Sequence, residues 1–250
     1  MQRRYLSLCA AALLAALPTA ASGAPPANPS VDQFRQIDQH CALNTGCFRG
    51  DDPGFPVTIT ESGSYFLTGN LDVTGEDSPL DTTAIVLAAP GIALDLAGYS
   101  LIGVVGCAAT PVSGCSGTGA GVGIKVNAFN TGAEGKGAKI TNGTIRGFGN
   151  DGIQCDTDCW IDAVLTMENA GHGIDADFGD HHSTVLRSQS VRNAGDGIRL
   201  RGLVADSTAR GNGVVGIRVI GRSGAVRGCT VNKNGWGISA QYGTASGNTF

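Results

Sequence analysis

From about Thr83 onward the chain repeats one short apolar signature. Gly-Ile pairs end at Ile153, Ile174, Ile198, Ile217 and Ile238, at intervals of 21, 24, 19 and 21 residues. Asn169, Asn193 and Asn212 stand five residues ahead of the Ile that follows them, and Asn234 stands four ahead of Ile238. Each pair leads into a short strand, a turn, and a second apolar stretch such as residues 183–188, 203–207 or 225–231. Looser copies are Gly123-Ile124-Lys125-Val126 and Ala84-Ile85-Val86-Leu87, and residues 95–103 echo residues 141–147 to within one position. A unit of this length holds two or three short strands, too few to bury its own apolar face, so neighbouring copies must stack. Stacking pairs each strand in parallel with its counterpart about 4.8 Å away. The pattern therefore predicts an all-β chain, a right-handed parallel β-helix with the Ile of every pair pointing inward. Gly and Asn are read as turn residues of positive φ, and the Asn side chains as rungs of a hydrogen-bonded ladder. Neither a sustained 3.6-residue period nor a six-residue period runs through these segments.

A solenoid exposes core and strand edges unless its ends are covered. Ser30-Val31-Asp32-Gln33 has the form of a capping box, and Val31, Phe34 and Ile37 follow at helical spacing, predicting a short capping helix over residues 30–40. Residues 105–121, rich in Gly, Ser and Thr, read as a loop inserted between coils. At the other end, Ser246-Gly247-Asn248-Thr249-Phe250 halts where a further coil is expected, without a cap.

The first residues change the picture of compartment. Arg3 and Arg4, the apolar run from Tyr5 to Leu17 and the small residues from Thr19 to Gly23 have the build of a secretory signal peptide. The expected organisation is a signal peptide at 1–23, a linker and cap at 24–56 and a β-helix at 57–250. The apolar run is too short to span a bilayer, and the mature chain is expected to be secreted, periplasmic or extracellular. Without Arg3 and Arg4 it carries 15 basic against 21 acidic residues, a net charge of −6, which disfavours nucleic acid as a partner. Seven cysteines then remain, six of them in close pairs: Cys41 with Cys47, Cys107 with Cys115, and Cys155 with Cys159. In an oxidising compartment these read as short-loop disulfides. Cys229 is left over, either a free buried thiol or one with a partner outside the chain.

Strand alternation assigns the walls. With Ile174 inward, Asp175 and Asp177 point out; the next coil turns out Arg199 and Arg201, and the one after it Arg218. Two columns result: Gln154, Asp175, Arg199, Arg218, Ser239, and beside it Asp156, Asp177, Arg201. Asp180, His181 and His182 follow the Asp177 strand directly, and His172 lies in the turn before it. Arginine forks suit carboxylates, His is the side chain whose ordinary titration lies nearest neutrality, and Asp175, Asp177 and Asp180 offer oxygen ligands of the kind Ca²⁺ prefers. The plainer reading is structural: Asp175 over Arg199 and Asp177 over Arg201 are cross-strand charge pairs, each worth about 0.2–1 kcal/mol. Trp160 and Trp236 are candidate sugar-stacking platforms or edge covers.

The coils resemble the right-handed parallel β-helix superfamily that includes pectate lyases. The elements Ala42-Leu43-Asn44-Thr45-Gly46-Cys47-Phe48, Pro56-Val57-Thr58-Ile59-Thr60, Leu94-Asp95-Leu96 and Asn142-Gly143-Thr144-Ile145-Arg146-Gly147 are similar to exported bacterial β-helix proteins. The resemblance implies fold far more than chemistry. No Asp-Pro-His-Asp stretch of the mannuronan-epimerase kind is present. The function expected is polysaccharide binding, of an acidic glycan, through Asp175, Asp177, Arg199, Arg201 and Arg218. One alternative is a lyase or C5-epimerase on uronates with His181, His182 and Asp180 in proton transfer and Ca²⁺ as a candidate cofactor. The other is a non-catalytic structural or adhesive surface protein.

Overall fold

The computed structural model describes residues 34–48, 50–127, 137–221 and 223–250. The proposed signal peptide and Ser30–Gln33 lie outside them. Two large parallel sheets dominate the described residues, one of eight strands and one of fourteen. The eight-stranded sheet is the Gly-Ile column: Val57, Ile85, Ile124, Ile153, Ile174, Ile198, Ile217 and Ile238 stand in one register, each over the next. All but Ile238 are wholly buried. The chain is thus a parallel β-helix whose interior is a stack of aliphatic side chains, as the period requires.

The fourteen-stranded sheet has two limbs joined by the long strands Ala138–Arg146 and Cys159–Met167. One limb runs from Phe34–Ile37 through Gly63–Leu67 and Ile92–Asp95 to Thr244–Ser246; the other runs from Leu71–Asp72 to Thr230–Asn232. The echo of residues 95–103 in 141–147 is a true register, Asp95 beside Thr141 and Leu101 beside Ile145. The earlier coil carries two extra residues at the corner, where Ala97 and Gly98 take positive φ.

The polar corner behind the Gly-Ile sheet is a ladder. Asn169 Nδ2 donates to Asn193 Oδ1 at 2.9 Å, Asn193 Nδ2 to Asn212 Oδ1 at 3.0 Å, and Asn212 Nδ2 to Asn234 Oδ1 at 2.9 Å. Each accepting oxygen also takes the backbone N–H of the Asn one coil earlier. Buried polar groups left unmatched would cost about 1–3 kcal/mol each, so the ladder is what permits a polar corner inside the stack. The positive-φ residues are not the expected ones. They are Glu168, Arg192, Gly211 and Lys233, each one position before its Asn. The glycine of each pair is there for space: a Cβ on Gly197 would come within 2.6 Å of Asn212 Nδ2, and one on Gly173 would collide with Ser190 Oγ. A second ladder of the same kind joins Ser188 and Ser207, whose hydroxyls accept the backbone N–H of Val164 and Ser188. Cys229 is a free thiol buried near the head of this column, its sulfur donating to the Arg227 carbonyl.

The capping helix is displaced. Phe34–Ile37 is a strand paired with Gly63–Leu67, inside the segment read as linker and cap, and the helix is Gln39–Asn44. Covering the sheet edge prevails over the helical spacing there: Ile37 is buried in the core and Arg35 Nη1 donates to Tyr65 Oη at 2.8 Å. Asp38 caps the helix instead, accepting the Cys41 N–H at 2.8 Å. Three disulfides are formed, Cys41–Cys47, Cys107–Cys115 and Cys155–Cys159. The second closes an antiparallel hairpin within the inserted loop, which lies along the Asn corner with Val112 N–H on the Gly211 carbonyl. No helix among the described residues is long and apolar enough to cross a membrane.

Candidate functional site

The outer wall of the Gly-Ile sheet carries the first expected column in order: Gln154, Asp175, Arg199, Arg218 and Ser239 are successive register partners. Its charges interlock diagonally rather than rung by rung. Asp177 Oδ2 accepts Arg199 Nη2 at 2.9 Å while its Oδ1 accepts Arg201 Nε at 3.0 Å. Asp175, read as exposed, is 6% exposed and sits 3.9 Å from Arg199 Nε. Arg218 turns away from this set to Asp196, Nε on Oδ2 at 2.6 Å and Nη2 on Oδ1 at 3.2 Å. That bond holds the Arg218 guanidinium above its ordinary pKa. All three arginine side chains remain about one-third exposed.

A further row stands at the edge of this wall, formed by the residues just before each Gly-Ile pair: Asp151, His172 and Asp196. Asp151 Oδ1 accepts the His172 backbone N–H at 2.6 Å. Burial pushes its carboxyl up to about 6, against the pull of that N–H and of the His172 ring. Burial also raises Asp175, opposed by His172 and Arg199. The His172 ring is oriented from behind: its Nδ1 accepts the Asp196 N–H at 2.9 Å, so in the neutral ring the proton is on Nε2. Nε2 lies 3.4 Å from Arg199 Nη1. With that tautomer His172 Nε2–H and Arg199 Nη1 face one another as donors, beside the Asp175 carboxylate, whose Oδ1 lies 3.9 Å from Arg199 Nε.

Sequence reasoning named Asp175, Asp177 and the three arginines, of which the fold gathers Asp175, Asp177, Arg199 and Arg201 and ties Arg218 to Asp196. It left His172 in its turn and missed Asp151 and Asp196; the signal for all three was their shared position before Gly-Ile. The proposed proton-transfer group is scattered. Asp180 is fully exposed, 3.6 Å from Arg201 Nη1. His181 Nδ1 faces Asp158 at 3.7 Å, and His182 Nε2 lies 2.8 Å from Ser223 Oγ. Asp175, Asp177 and Asp180 form no Ca²⁺ cage, because Asp177 has both oxygens on arginines; among the described residues no group of three or more His, Cys, Asp or Glu is arranged to hold a metal.

The two sheets and the ladder define the class, a parallel β-helix. No protein-family model and no curated protein matches the sequence. Among solved structures, that of pectate lyase Pel9A aligns over 72% of this chain and 44% of its own length, with 14% identity and a TM-score of 0.41. The chain thus spans less than half of that enzyme.

Proposed function

We propose that this chain is a secreted β-helix that binds acidic polysaccharide along the Gly-Ile wall. The observation that carries the reading is the pair His172 Nε2–H and Arg199 Nη1, two donors 3.4 Å apart on the outer wall. A uronate carboxylate seated between them would accept both, and charge-assisted bonds of this kind are the strong ones. Arg199 and Arg201 are held by Asp177, and Arg218 by Asp196, so little side-chain freedom remains to be lost when a glycan binds. The unused guanidinium edges face solvent and extend the row up the stack at the coil spacing of about 4.8 Å.

The test is titration calorimetry with oligogalacturonate and oligoalginate against a neutral glucan. Binding of the acidic oligomers alone, reduced tenfold or more in Arg199→Ala with the fold intact by circular dichroism, is the expected result. Absence of binding to every glycan favours the structural or adhesive role. A second reading, lyase or C5-epimerase activity on uronates, is favoured by one observation. The buried Asp151 carboxyl, pushed up to about 6, titrates within reach of neutrality beside His172. Ultraviolet absorbance of an unsaturated uronate product, or an NMR change in polymer composition, would establish it.

A further inference from the structure

The first limb of the large sheet carries a groove that the wall does not use. Two depressions, of about 370 and 270 Å³, adjoin on its outer face and share Lys139. Their floor is one register column, Ser64, Ala93, Lys139, Trp160 and Thr184. Ser64 and Ala93 are small, which leaves a trough beneath the larger residues above them. Trp160 stands between Lys139 and Thr184 with 45% of its surface exposed. Its amphipathic indole thus presents a flat apolar face to the trough, the kind of surface on which a sugar ring can stack. Lys139, its neighbour one coil below, is exposed and makes no ion pair among the described residues. Two carboxylates stand at the margins, Asp95 and Asp158, each engaged in hydrogen bonds. Asp95 accepts the Ala97 N–H and Asn142 Nδ2, and Asp158 accepts the His182 N–H and faces His181.

We propose that this groove is a second anionic-oligosaccharide site, separate from the Gly-Ile wall. A pyranose ring stacks its C–H face on Trp160 and sets its carboxylate on Lys139 Nζ. The adjoining depression receives the next sugar toward Ser64. The coil spacing of about 4.8 Å between Lys139 and Trp160 brings a ring and its own carboxylate within reach of both. The shared chemistry with the wall is a uronate; the difference is that here stacking supplies the contact area and a single free ammonium supplies the charge.

Only two tryptophans are present, so Trp236→Phe leaves Trp160 as the sole indole reporter. In that background oligogalacturonate should shift and quench Trp160 emission saturably, while a neutral oligosaccharide should not. Lys139→Ala should weaken the response tenfold or more, and the Arg199→Ala/Arg201→Ala double variant should leave it unchanged. Unaltered emission at saturating oligomer overturns the site, and an equal response to the neutral sugar or in Lys139→Ala overturns its anionic character. Loss of the response in the arginine double variant would instead assign it to the wall. Wall binding read by calorimetry on Trp160→Ala keeps the two sites distinguishable.

Discussion

On the Gly-Ile wall Arg199, Arg201 and Arg218 all lie against a carboxylate, whereas Lys139 in the Trp160 groove makes no ion pair among the described residues. Asp177 and Asp196 are nearly buried under the guanidinium groups they hold. The groove has an exposed ring and a loose cation instead. On the proposed reading the wall's charged side chains would serve folding and recognition together, and those of the groove recognition alone. A substitution on the wall should register in stability; one in the groove should not.

The largest effect is expected behind the wall. Asn193→Ala would leave the Asn169 N–H and Nδ2 without their acceptor, and denaturant unfolding should show a loss of about 3 kcal/mol. Next, Asp177→Ala frees Arg199 and Arg201 at once. The pairs are one-third exposed on the arginine side, so screening limits the loss to about 1–2 kcal/mol. Asp151→Asn tests the sign of burial. A carboxyl raised from 3.8 to about 6 in the fold binds its proton more tightly folded than unfolded. Its contribution to stability therefore falls as pH rises between those values and stays low above them. The Asn variant should match the parent near pH 4 and exceed it above pH 6, by about 1–3 kcal/mol. Lys139→Ala is the smallest, within about 0.5 kcal/mol of the parent in the same unfolding measurement. A destabilisation by Lys139→Ala as large as that by Asp177→Ala would erase the distinction between the faces.

The interior was legible because the Gly-Ile period is a direct record of stacking: once Ile174 lies over Ile198, the outward order of Asp175 and Arg199 follows from alternation. The Asn ladder was legible for the same reason. The turns were not, since the positive-φ positions hold Glu168, Arg192 and Lys233, side chains with no special preference for that conformation. The helix was misplaced because Val31, Phe34 and Ile37 fit a helical stripe, and nothing in their spacing reveals an open sheet edge in need of cover. On the wall, register alone paired Asp175 with Arg199. The longer reach of arginine lets it take Asp177 diagonally, and the turn residue Asp196 claims Arg218. The groove was invisible, because its floor joins residues from five separate coils whose common feature is size rather than a motif.

The account rests on a carboxylate being received between His172 and Arg199. Proton–nitrogen NMR of the His172 ring and the Arg199 guanidinium, during titration with oligogalacturonate, tests this most directly. Concerted shifts of both groups at one saturation point are predicted; shifts confined to the Trp160 indole, with His172 and Arg199 unmoved, would contradict it.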